Sequence, residues 1–320
     1  MKIAVISGIT GQDGAYLAQL LVQKDYKIIG LIRSYSNFKN SAFKYLNIDG
    51  KFDIEECDLL DFSSIIKILI KYRPDEFYNL AAQSSVGGSF EQPIGTINYN
   101  TQSLLNILES IRLLKMDTKV YQASSSEMFG EVKNLPVTEK TPLHPLSPYA
   151  ISKASAYWIC INYRESYNVN CVNGVLFNHE SYLRSPNFFV KKVIRTSLNI
   201  KYKIEDVLHV GNVDVKRDFG YAPDYVRAMW LSLQQNKADD YLICSGKSVY
   251  LRDIITYTFD CLGISSDRLV EDPALFRPTD IQDMYGDNSK AKTILKWDYD
   301  KSFFEILDML IKEEEASFKR

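Results

Sequence analysis

Residues 2–14 read Lys2-Ile-Ala-Val-Ile-Ser-Gly-Ile-Thr-Gly-Gln-Asp-Gly14. Residues 2–7 predict a short buried strand, residues 15–22 have the apolar spacing of a helix, and residues 28–32 predict a second strand. The glycines therefore fall in the turn between strand and helix. Such a turn brings the backbone close to a pyrophosphate, whose charge then faces the helix N-terminus. The stretch predicts a βαβ unit that binds a dinucleotide, although three turn glycines alone could be structural only.

An arginine at the end of the second strand bears on the choice of dinucleotide. A site for NAD usually carries an acidic residue at this place, whereas Arg33 suits the 2′-phosphate of NADP. The alternative is a solvated arginine at a strand end. The predicted cofactor is NADP. The candidate cofactor-binding residues are Gly8, Gly11, Gln12, Asp13, Gly14, Arg33, Asp58, Leu59, Leu80, Ala81, Ala82, Tyr149 and Lys153.

Short apolar runs alternate with helical spacing as far as residue 177, which predicts a parallel sheet with helices on both faces. The fold class is α/β, with a Rossmann-type doubly wound parallel sheet and a smaller mixed α/β substrate domain. We place the dinucleotide-binding domain at residues 1–177 and the substrate domain at 178–320, with about 214–245 returning to the first domain. The further predicted strands are 52–57, 76–80, 119–123 and 169–177, and the further helices are 61–72, 98–114 and 149–167.

The composition limits the possible partners. The chain has 320 residues, a net charge of -2, five cysteines and three histidines. A net charge so close to zero argues against nucleic acid and anionic membranes. An odd number of cysteines without a C-x-x-C pair makes structural disulfides and zinc unexpected, and fits a reducing cytoplasm. No apolar run approaches the length of a bilayer span. We expect a cytoplasmic protein that holds no metal and binds neither nucleic acid nor membrane.

A candidate catalytic stretch runs from Ser124 to Lys153. It begins Ser124-Ser-Ser-Glu-Met-Phe-Gly130 after an apolar run, so its polar groups should lie at the carboxyl end of a strand, where ligands of open α/β sheets bind. Tyr149 precedes Lys153 by four residues, which puts both side chains on one helical face. A phenol with a pKa of about 10 is a poor base at neutral pH, but a nearby cation favours the phenolate. Tyr149 is therefore a candidate general base.

Further segments resemble one enzyme family. With the glycine turn, the serine cluster and the Tyr149/Lys153 pair, the chain resembles an extended short-chain dehydrogenase/reductase, and more narrowly the GDP-mannose 4,6-dehydratase family, over nearly its whole length. The resemblance implies a GDP-sugar substrate and a homo-oligomer, either dimer or tetramer. The segments are Phe77-Tyr-Asn-Leu-Ala-Ala-Gln-Ser84, Leu176-Phe-Asn-His-Glu-Ser181, Lys216-Arg-Asp218, Arg277-Pro-Thr279 and Gly286-Asp-Asn-Ser-Lys-Ala291.

The resemblance implies a redox-neutral lyase reaction. Tyr149 takes the O4 proton while a hydride leaves C4 for the nicotinamide, and the resulting ketone makes the C5 proton acidic. Glu127 then removes that proton, water leaves from C6, and the hydride returns to C6, which converts GDP-mannose to GDP-4-keto-6-deoxymannose. Lys153 would hold the cofactor ribose and keep the tyrosine acidic. Ser125 or Ser126 would hydrogen-bond O4 or assist loss of the C6 hydroxyl.

The resemblance also implies substrate-binding residues, some of them around the diphosphate. Two phosphates need several donors converging from different segments, and arginine forks fit phosphate well. Each basic residue taken singly is more often a solvated side chain. The candidates are Ser84, Ser85, Asn178, Glu180, Lys192, Arg217 and Arg277.

Departures from the family pattern leave alternatives open. Ser85, Gly87 and Gly88 replace bulkier residues of the substrate wall, which suggests a GDP-linked heptose 4,6-dehydratase as the second hypothesis. Ser34 replaces the second of a pair of arginines, so Arg33 would bind the 2′-phosphate with less help. A nucleotide-sugar 4-epimerase is the third hypothesis, and it would not need Glu127 because no C5 proton is removed. A non-catalytic NADP sensor is the last, and would not require the tyrosine, lysine and glutamate together.

Overall fold

The secondary structure comes from a computed structural model that describes residues 1–318, except the side chain of Asn37. The strands are β1 (Ile3–Ser7), β2 (Lys27–Ile32), β3 (Asp53–Glu56), β4 (Glu76–Asn79), β5 (Lys119–Ser125), β6 (Cys171–Leu176), β7 (Asn178–Glu180), β8 (Leu208–Val210), β9 (Lys216–Tyr221), β10 (Asp240–Ile243), β11 (Ser248–Tyr250) and β12 (Leu269–Glu271). The α-helices are α1 (Gln12–Gln23), α2 (Ser41–Tyr45), α3 (Phe62–Tyr72), α4 (Val86–Glu91), α5 (Pro93–Leu113), α6 (Pro148–Tyr167), α7 (Phe189–Lys201), α8 (Ala222–Leu233), α9 (Leu251–Leu262), α10 (Ser289–Leu295) and α11 (Phe303–Phe318).

Within residues 1–318, seven strands form one sheet in the order β10-β6-β5-β4-β1-β2-β3. Neighbouring strands pair in parallel, so their carboxyl ends share one edge. The chain runs outward from β1 to β3 and then returns to the other side of β1 with β4. Open α/β sheets bind ligands at such a reversal of strand order. The predicted class, a Rossmann-type doubly wound parallel sheet, is confirmed.

Two apolar layers cover the faces of this sheet. Successive side chains of a strand point to opposite faces, and accordingly Ala4 and Ile6 of β1 pack in one buried cluster with α1 and α8. Val5 packs in the other, with α3, α5 and α6. Full burial of a side chain of the Val, Ile or Leu type stabilises a fold by roughly 1.5–3 kcal/mol. The two layers therefore hold the carboxyl edge of the sheet rigidly below the loops that follow it.

The seventh strand comes from the second half of the chain. Asp240 of β10 accepts hydrogen bonds from Arg164 Nη1 at 3.0 Å, Tyr157 Oη at 3.1 Å and Asn173 Nδ2 at 2.9 Å. Asn173 in turn accepts from Ser124 Oγ at 3.2 Å. This buried network joins β10 to the end of β5. The division of the chain at residue 178 stays a prediction.

A small three-stranded sheet carries several predicted substrate residues. Its order is β11-β9-β7. Strand β7 pairs in parallel with β9, which sets Asn178 opposite Phe219, and β9 pairs antiparallel with β11, which sets Arg217 opposite Val249. Only Phe177 separates β6 from β7. The short linkage places this second sheet directly beside the carboxyl edge of the first.

Candidate active site

A cavity of about 440 Å³ lies at the carboxyl edge of β4, β5 and β6. It brings together predicted residues from seven separate segments of the chain. Ser126 and Lys192 lie outside its lining. The predicted catalytic and substrate residues that line the cavity are Ser84, Ser85, Ser125, Glu127, Tyr149, Lys153, Asn178, Glu180, Arg217 and Arg277, and the predicted cofactor residues are Asp13, Leu80 and Ala82.

Helix α6 presents Tyr149 and Lys153 to the cavity from its first two turns. The hydroxyl of Ser147 caps this helix by accepting a hydrogen bond from the backbone N–H of Ala150 at 3.1 Å. Lys153 Nζ donates to the carbonyl of Ala123 at 2.8 Å and lies 5.8 Å from the centre of the Tyr149 ring. The four-residue spacing thus puts both side chains on one face, directly beside the end of β5.

Burial opposes the charged forms of both groups. It raises the pKa of Tyr149 to about 12, while the hydroxyl of Ser125 lowers that pKa and the carboxylate of Glu127 raises it. Burial also lowers the pKa of Lys153 to about 8, against the attraction of Asp13. Desolvation therefore outweighs the lowering that was expected for the tyrosine. The neighbours that favour the phenolate are Ser125 and, to a smaller extent, Arg184.

Glu127 reaches the cavity from a 3-10 turn, Ser126–Met128, that follows β5 without a break. The hydroxyl of Ser125 accepts a hydrogen bond from the backbone N–H of Glu127 at 3.3 Å and so fixes the start of the turn. The side chain of Glu127 is half-buried and lines the cavity with that of Tyr149. Ser126 is 6% exposed, and its carbonyl accepts from the N–H of Phe129 at 3.1 Å. The turn therefore directs the carboxylate of Glu127 into the cavity, whereas Ser126 does not line it.

Small residues form the cavity wall that follows β4. Ser85 caps α4 by accepting from the N–H of Gly88 at 3.0 Å, and a Cβ built on Gly87 would meet no atom within 4 Å. Asn100, which the sequence analysis did not identify, holds this wall in place. Its side chain accepts from the N–H of Gln83 at 2.9 Å and donates to Ser152 Oγ of α6 at 2.9 Å. The wall and the catalytic helix are therefore fixed relative to each other.

A second cavity of about 250 Å³ lies over the ends of β1, β2 and β3. The guanidinium of Arg33 lies at its edge, 5.2 Å from the centre of the Tyr99 ring. Tyr99 is a helix residue without a motif around it, so the sequence analysis did not identify it. The predicted cofactor residues that line this cavity are Gly8, Arg33, Asp58, Leu59 and Ala81.

The glycine turn forms a cradle that side chains would fill. Gly8 has a φ of +71°, and a Cβ there would lie 2.8 Å from the backbone nitrogen of Ala81. A Cβ on Gly14 would lie 2.3 Å from the carbonyl oxygen of Gly8. Gly11 donates its N–H to that same oxygen at 2.9 Å and caps α1. This close approach of backbone to backbone at a helix N-terminus fits the binding of a pyrophosphate.

Two arginines share one carboxylate at the far end of the larger cavity. Arg217 is 7% exposed, and its Nη2 donates to Asp280 at 2.7 Å, while Arg277 Nη1 lies 3.8 Å from the same carboxylate oxygen. One positive charge is left over, which suits a phosphate. Lys192 instead donates to the carbonyl of His209 at 2.7 Å and stays outside this group.

Gln12 and Asp13 follow the glycine cradle, but their side chains turn toward β7. Asp13 pairs with His179 at 2.9 Å, and Gln12 accepts from Ser181 Oγ at 2.8 Å. Of these, Asp13 and His179 line the larger cavity. Cofactor binding by Gln12 and Asp13 stays a prediction, and the links to β7 had no local signal in the sequence.

Among residues 1–318, metal-binding clusters and membrane-spanning helices are both absent. No group of three or more His, Cys, Asp or Glu side chains there could hold a metal ion. No helix in that range is both long enough and apolar enough to cross a membrane.

The glycine cradle, the parallel sheet and a tyrosine-lysine pair over a shared cavity define an extended short-chain dehydrogenase/reductase. The family model described as GDP-mannose 4,6 dehydratase matches residues 5–310, and the chain belongs to that family. GDP-mannose 4,6 dehydratase 1 of Arabidopsis thaliana is 42% identical over 330 residues, covering 100% of this chain and 91% of the relative. GDP-mannose 4,6-dehydratase of Yersinia enterocolitica is 40% identical, covering 93% of this chain and 89% of the relative.

A solved structure shows the same fold at lower identity. The dTDP-glucose 4,6-dehydratase of Bacillus anthracis, crystallised in complex with NAD, has a TM-score of 0.87 to this chain. The sequences are 19% identical, and the match covers 99% of this chain and 97% of the other.

Proposed function

We propose that the protein is an NADP-dependent lyase that converts GDP-mannose to GDP-4-keto-6-deoxymannose. The observation that carries this proposal is the position of Glu127 in one cavity with Tyr149 and Lys153, in a chain of the GDP-mannose 4,6-dehydratase family. An oxidoreductase that acts only at C4 has no use for a carboxylate at this place. Dehydration across C5 and C6 requires a base of this kind.

The cofactor proposal rests on the glycine cradle and on Arg33. The cradle accepts a pyrophosphate, and the second cavity accepts the adenosine half of a dinucleotide, with Asp58 beside it. Arg33 supports NADP over NAD because a guanidinium pairs with a 2′-phosphate. When bound, the nicotinamide supplies a reversible acceptor for one hydride. Lys153, one turn from Tyr149, would bind the ribose hydroxyls.

The side chains of the chain then perform the proton transfers. The phenolate form of Tyr149, which a hydrogen bond from Ser125 stabilises, removes the proton of the O4 hydroxyl. The ketone at C4 makes the C5 proton acidic, and Glu127 removes it. The protonated Glu127 can give this proton to the C6 hydroxyl, so that water leaves and a C5–C6 double bond forms. The hydride stored on the bound cofactor would then be available for C6, and a proton for C5, which gives the 4-keto-6-deoxy product. Arg217 and Arg277 hold the diphosphate and keep the sugar in place through these steps.

Mass spectrometry of the product tests the proposal. The purified protein with GDP-mannose and catalytic NADP should yield a product lighter by one water, with no net consumption of NADP. GDP-manno-heptose in a parallel reaction tests the wider wall at Gly87. If GDP-manno-heptose is turned over faster than GDP-mannose, the heptose is the assigned substrate. A product of unchanged mass would indicate an epimerase.

Glu127→Gln separates the two half-reactions. It should abolish the loss of water while oxidation at C4, measured as hydride transfer to NADP, continues, because the amide fills the same volume but cannot take a proton. Glu131→Gln is the matched control, since Glu131 is exposed and lies outside the cavity. Unchanged dehydration by the Glu127 variant would contradict the assignment.

We also propose a homo-oligomer in a reducing cytoplasm. Helices α5 and α6 pack together and carry exposed apolar side chains, with Ile94 84% exposed and Trp158 59% exposed. Exposed apolar surface of this kind indicates an interface. Light scattering tests this proposal: a charged side chain in Trp158→Lys should weaken the interface, so the measured mass of the particle should fall below that of the wild type. The cytoplasmic proposal is supported by the cysteines, all of which are free thiols.

A further inference from the structure

Four side chains connect the start of α1 to strand β7, and we name Gln12, Asp13, His179 and Ser181 the α1–β7 latch. His179 Nε2 lies 2.9 Å from both carboxylate oxygens of Asp13. Gln12 Nε2 donates to the carbonyl of His179 at 3.1 Å, and Ser181 Oγ donates to Gln12 Oε1 at 2.8 Å. Gln12 Nε2 also donates to Asp13 at 3.1 Å, so the four groups form one connected network.

The hydrogen-bond partners of His179 require a charged ring. Its Nδ1 lies 2.6 Å from the carbonyl oxygen of Phe177, and its Nε2 faces the carboxylate of Asp13. Both partners are acceptors, so both ring nitrogens must carry a proton. The ring stacks on Tyr225 at 4.8 Å between centroids, which fixes its plane. The latch therefore contains a buried ion pair in a single orientation.

Other groups around the imidazolium of His179 affect its pKa, but Asp13 is its ion-pair partner. Burial acts to lower the pKa of His179, but Asp13 raises it by more, and the net pKa is raised above 6.5. Burial likewise acts to raise the pKa of Asp13, but His179, together with Gln12 and Arg184, lowers it by more. The charged and titratable groups that face the ring are Asp13, Arg184, Glu180 and Tyr225.

The latch joins helix α1, which packs on the large sheet, to the three-stranded sheet, at the residues proposed to hold two different ligands. On one side, Asp13 precedes Gly14 of the cradle in the first turn of α1. On the other side, His179 lies between Asn178 and Glu180 on the three-stranded sheet. Gln12 and Ser181 line neither cavity, so their side chains serve the connection itself.

We propose that the α1–β7 latch couples the binding of cofactor in the glycine cradle to the binding of nucleotide-sugar beside β7. Either ligand orders its own half of the network, and the shared hydrogen bonds order the other half. The second ligand then binds to a site that is already formed. Asp13 and Ser181 act here as positioning residues. The proposal rests on the proposed function for the identity of the two ligands.

Calorimetric titration with GDP, in the presence and absence of saturating NADP, measures the coupling without any turnover. In the wild-type protein, NADP should tighten GDP binding by a factor within the usual range of roughly 5- to 150-fold. In Asp13→Asn and in Ser181→Ala the factor should fall to about twofold or less. Asp253→Asn is the matched control, because it removes an exposed carboxylate from the first turn of α9, outside both cavities.

Ser181→Ala decides between coupling and direct contact. The hydroxyl of Ser181 contacts Gln12, Tyr16 and the backbone N–H of Leu183, and it lines neither cavity. A loss of coupling in Ser181→Ala therefore cannot come from the loss of a direct contact with a ligand. Melting curves check that each variant folds. The latch is overturned if Ser181→Ala keeps the wild-type coupling factor, whatever Asp13→Asn does, or if the wild-type protein shows no coupling. Latch-dependent coupling in a protein that does not dehydrate GDP-mannose would overturn the proposed function alone.

Discussion

Removing the hydroxyl of Ser125 should slow the first proton transfer of the reaction. Burial raises the pKa of Tyr149 to about 12, and the hydrogen bond from Ser125 is the larger of two neighbouring contributions that lower it, the other being the charge of Arg184. A hydrogen bond to a charged group contributes about 1.5–3 kcal/mol. At about 1.36 kcal/mol for each pKa unit, Ser125→Ala should raise the pKa of the phenol by about one to two units.

The expected result is a fall in kcat of roughly 10- to 100-fold at neutral pH, because the population of phenolate falls by that factor below the pKa. The assay is the initial rate of formation of the 4-keto product across a pH series. Ser125→Thr is the matched control, since threonine keeps the hydroxyl and adds one methyl group. We expect its rate to stay within a few-fold of the wild type, roughly within 1 kcal/mol of barrier height.

Two outcomes would refute this reasoning. If Ser125→Ala keeps the wild-type kcat at neutral pH, the hydroxyl does not stabilise the phenolate of Tyr149. If Ser125→Thr loses as much activity as Ser125→Ala, the effect comes from the shape of the site and not from the hydrogen bond. In the first of these outcomes, a higher KM with the unchanged kcat would indicate that Ser125 acts in substrate binding alone.

The remaining predictions concern the cradle, the cofactor and the latch. Gly14→Ala should destabilise the fold by at least about 1–3 kcal/mol in urea unfolding, since its Cβ would lie 2.3 Å from the carbonyl oxygen of Gly8; Gly95→Ala, which meets no atom within 4 Å, should not. Arg33→Ala should weaken NADP binding by roughly 10- to 100-fold and leave NAD binding unchanged, as titration of both would show. The raised pKa of His179 means that its pair stabilises the fold fully below its ordinary value of 6.5 and loses that effect as the pH rises through the raised value. The melting temperature should therefore fall more steeply above neutral pH in the wild type than in His179→Gln.

The sequence predicted those features whose signal is local. The glycine turn, the strands around it and the tyrosine-lysine spacing depend on neighbouring residues, and the structure has the corresponding elements within a few residues. Helix α5 begins five residues earlier than predicted, at Pro93 instead of residue 98, because proline suits the first turn of a helix. Where a functional feature depends on local backbone geometry, as in the glycine turn, the pattern of residue types was enough to predict it.

The features that the sequence could not predict depend on contacts between distant segments. Strand β7 has three residues, too few to show a periodicity, yet it carries His179 to Asp13 across 166 positions of the chain. Tyr99 and Asn100 lie within a long amphipathic helix and resemble ordinary surface and core positions until the fold brings them to the cavities. Lys192 had the charge expected of a phosphate ligand, but the fold turns it toward a backbone carbonyl.

The placement of β10 has a consequence for biosynthesis. Until residues 240–243 leave the ribosome, β6 is the edge of the growing sheet, with unpaired backbone groups on one side. Such an edge can pair with another nascent chain and aggregate. Until then, Arg164 and Asn173 would also lack the carboxylate of Asp240, which accepts their hydrogen bonds in the complete fold. A fragment that stops near residue 177 should therefore be insoluble, and the N-terminal half should complete its fold only after most of the chain has been synthesised.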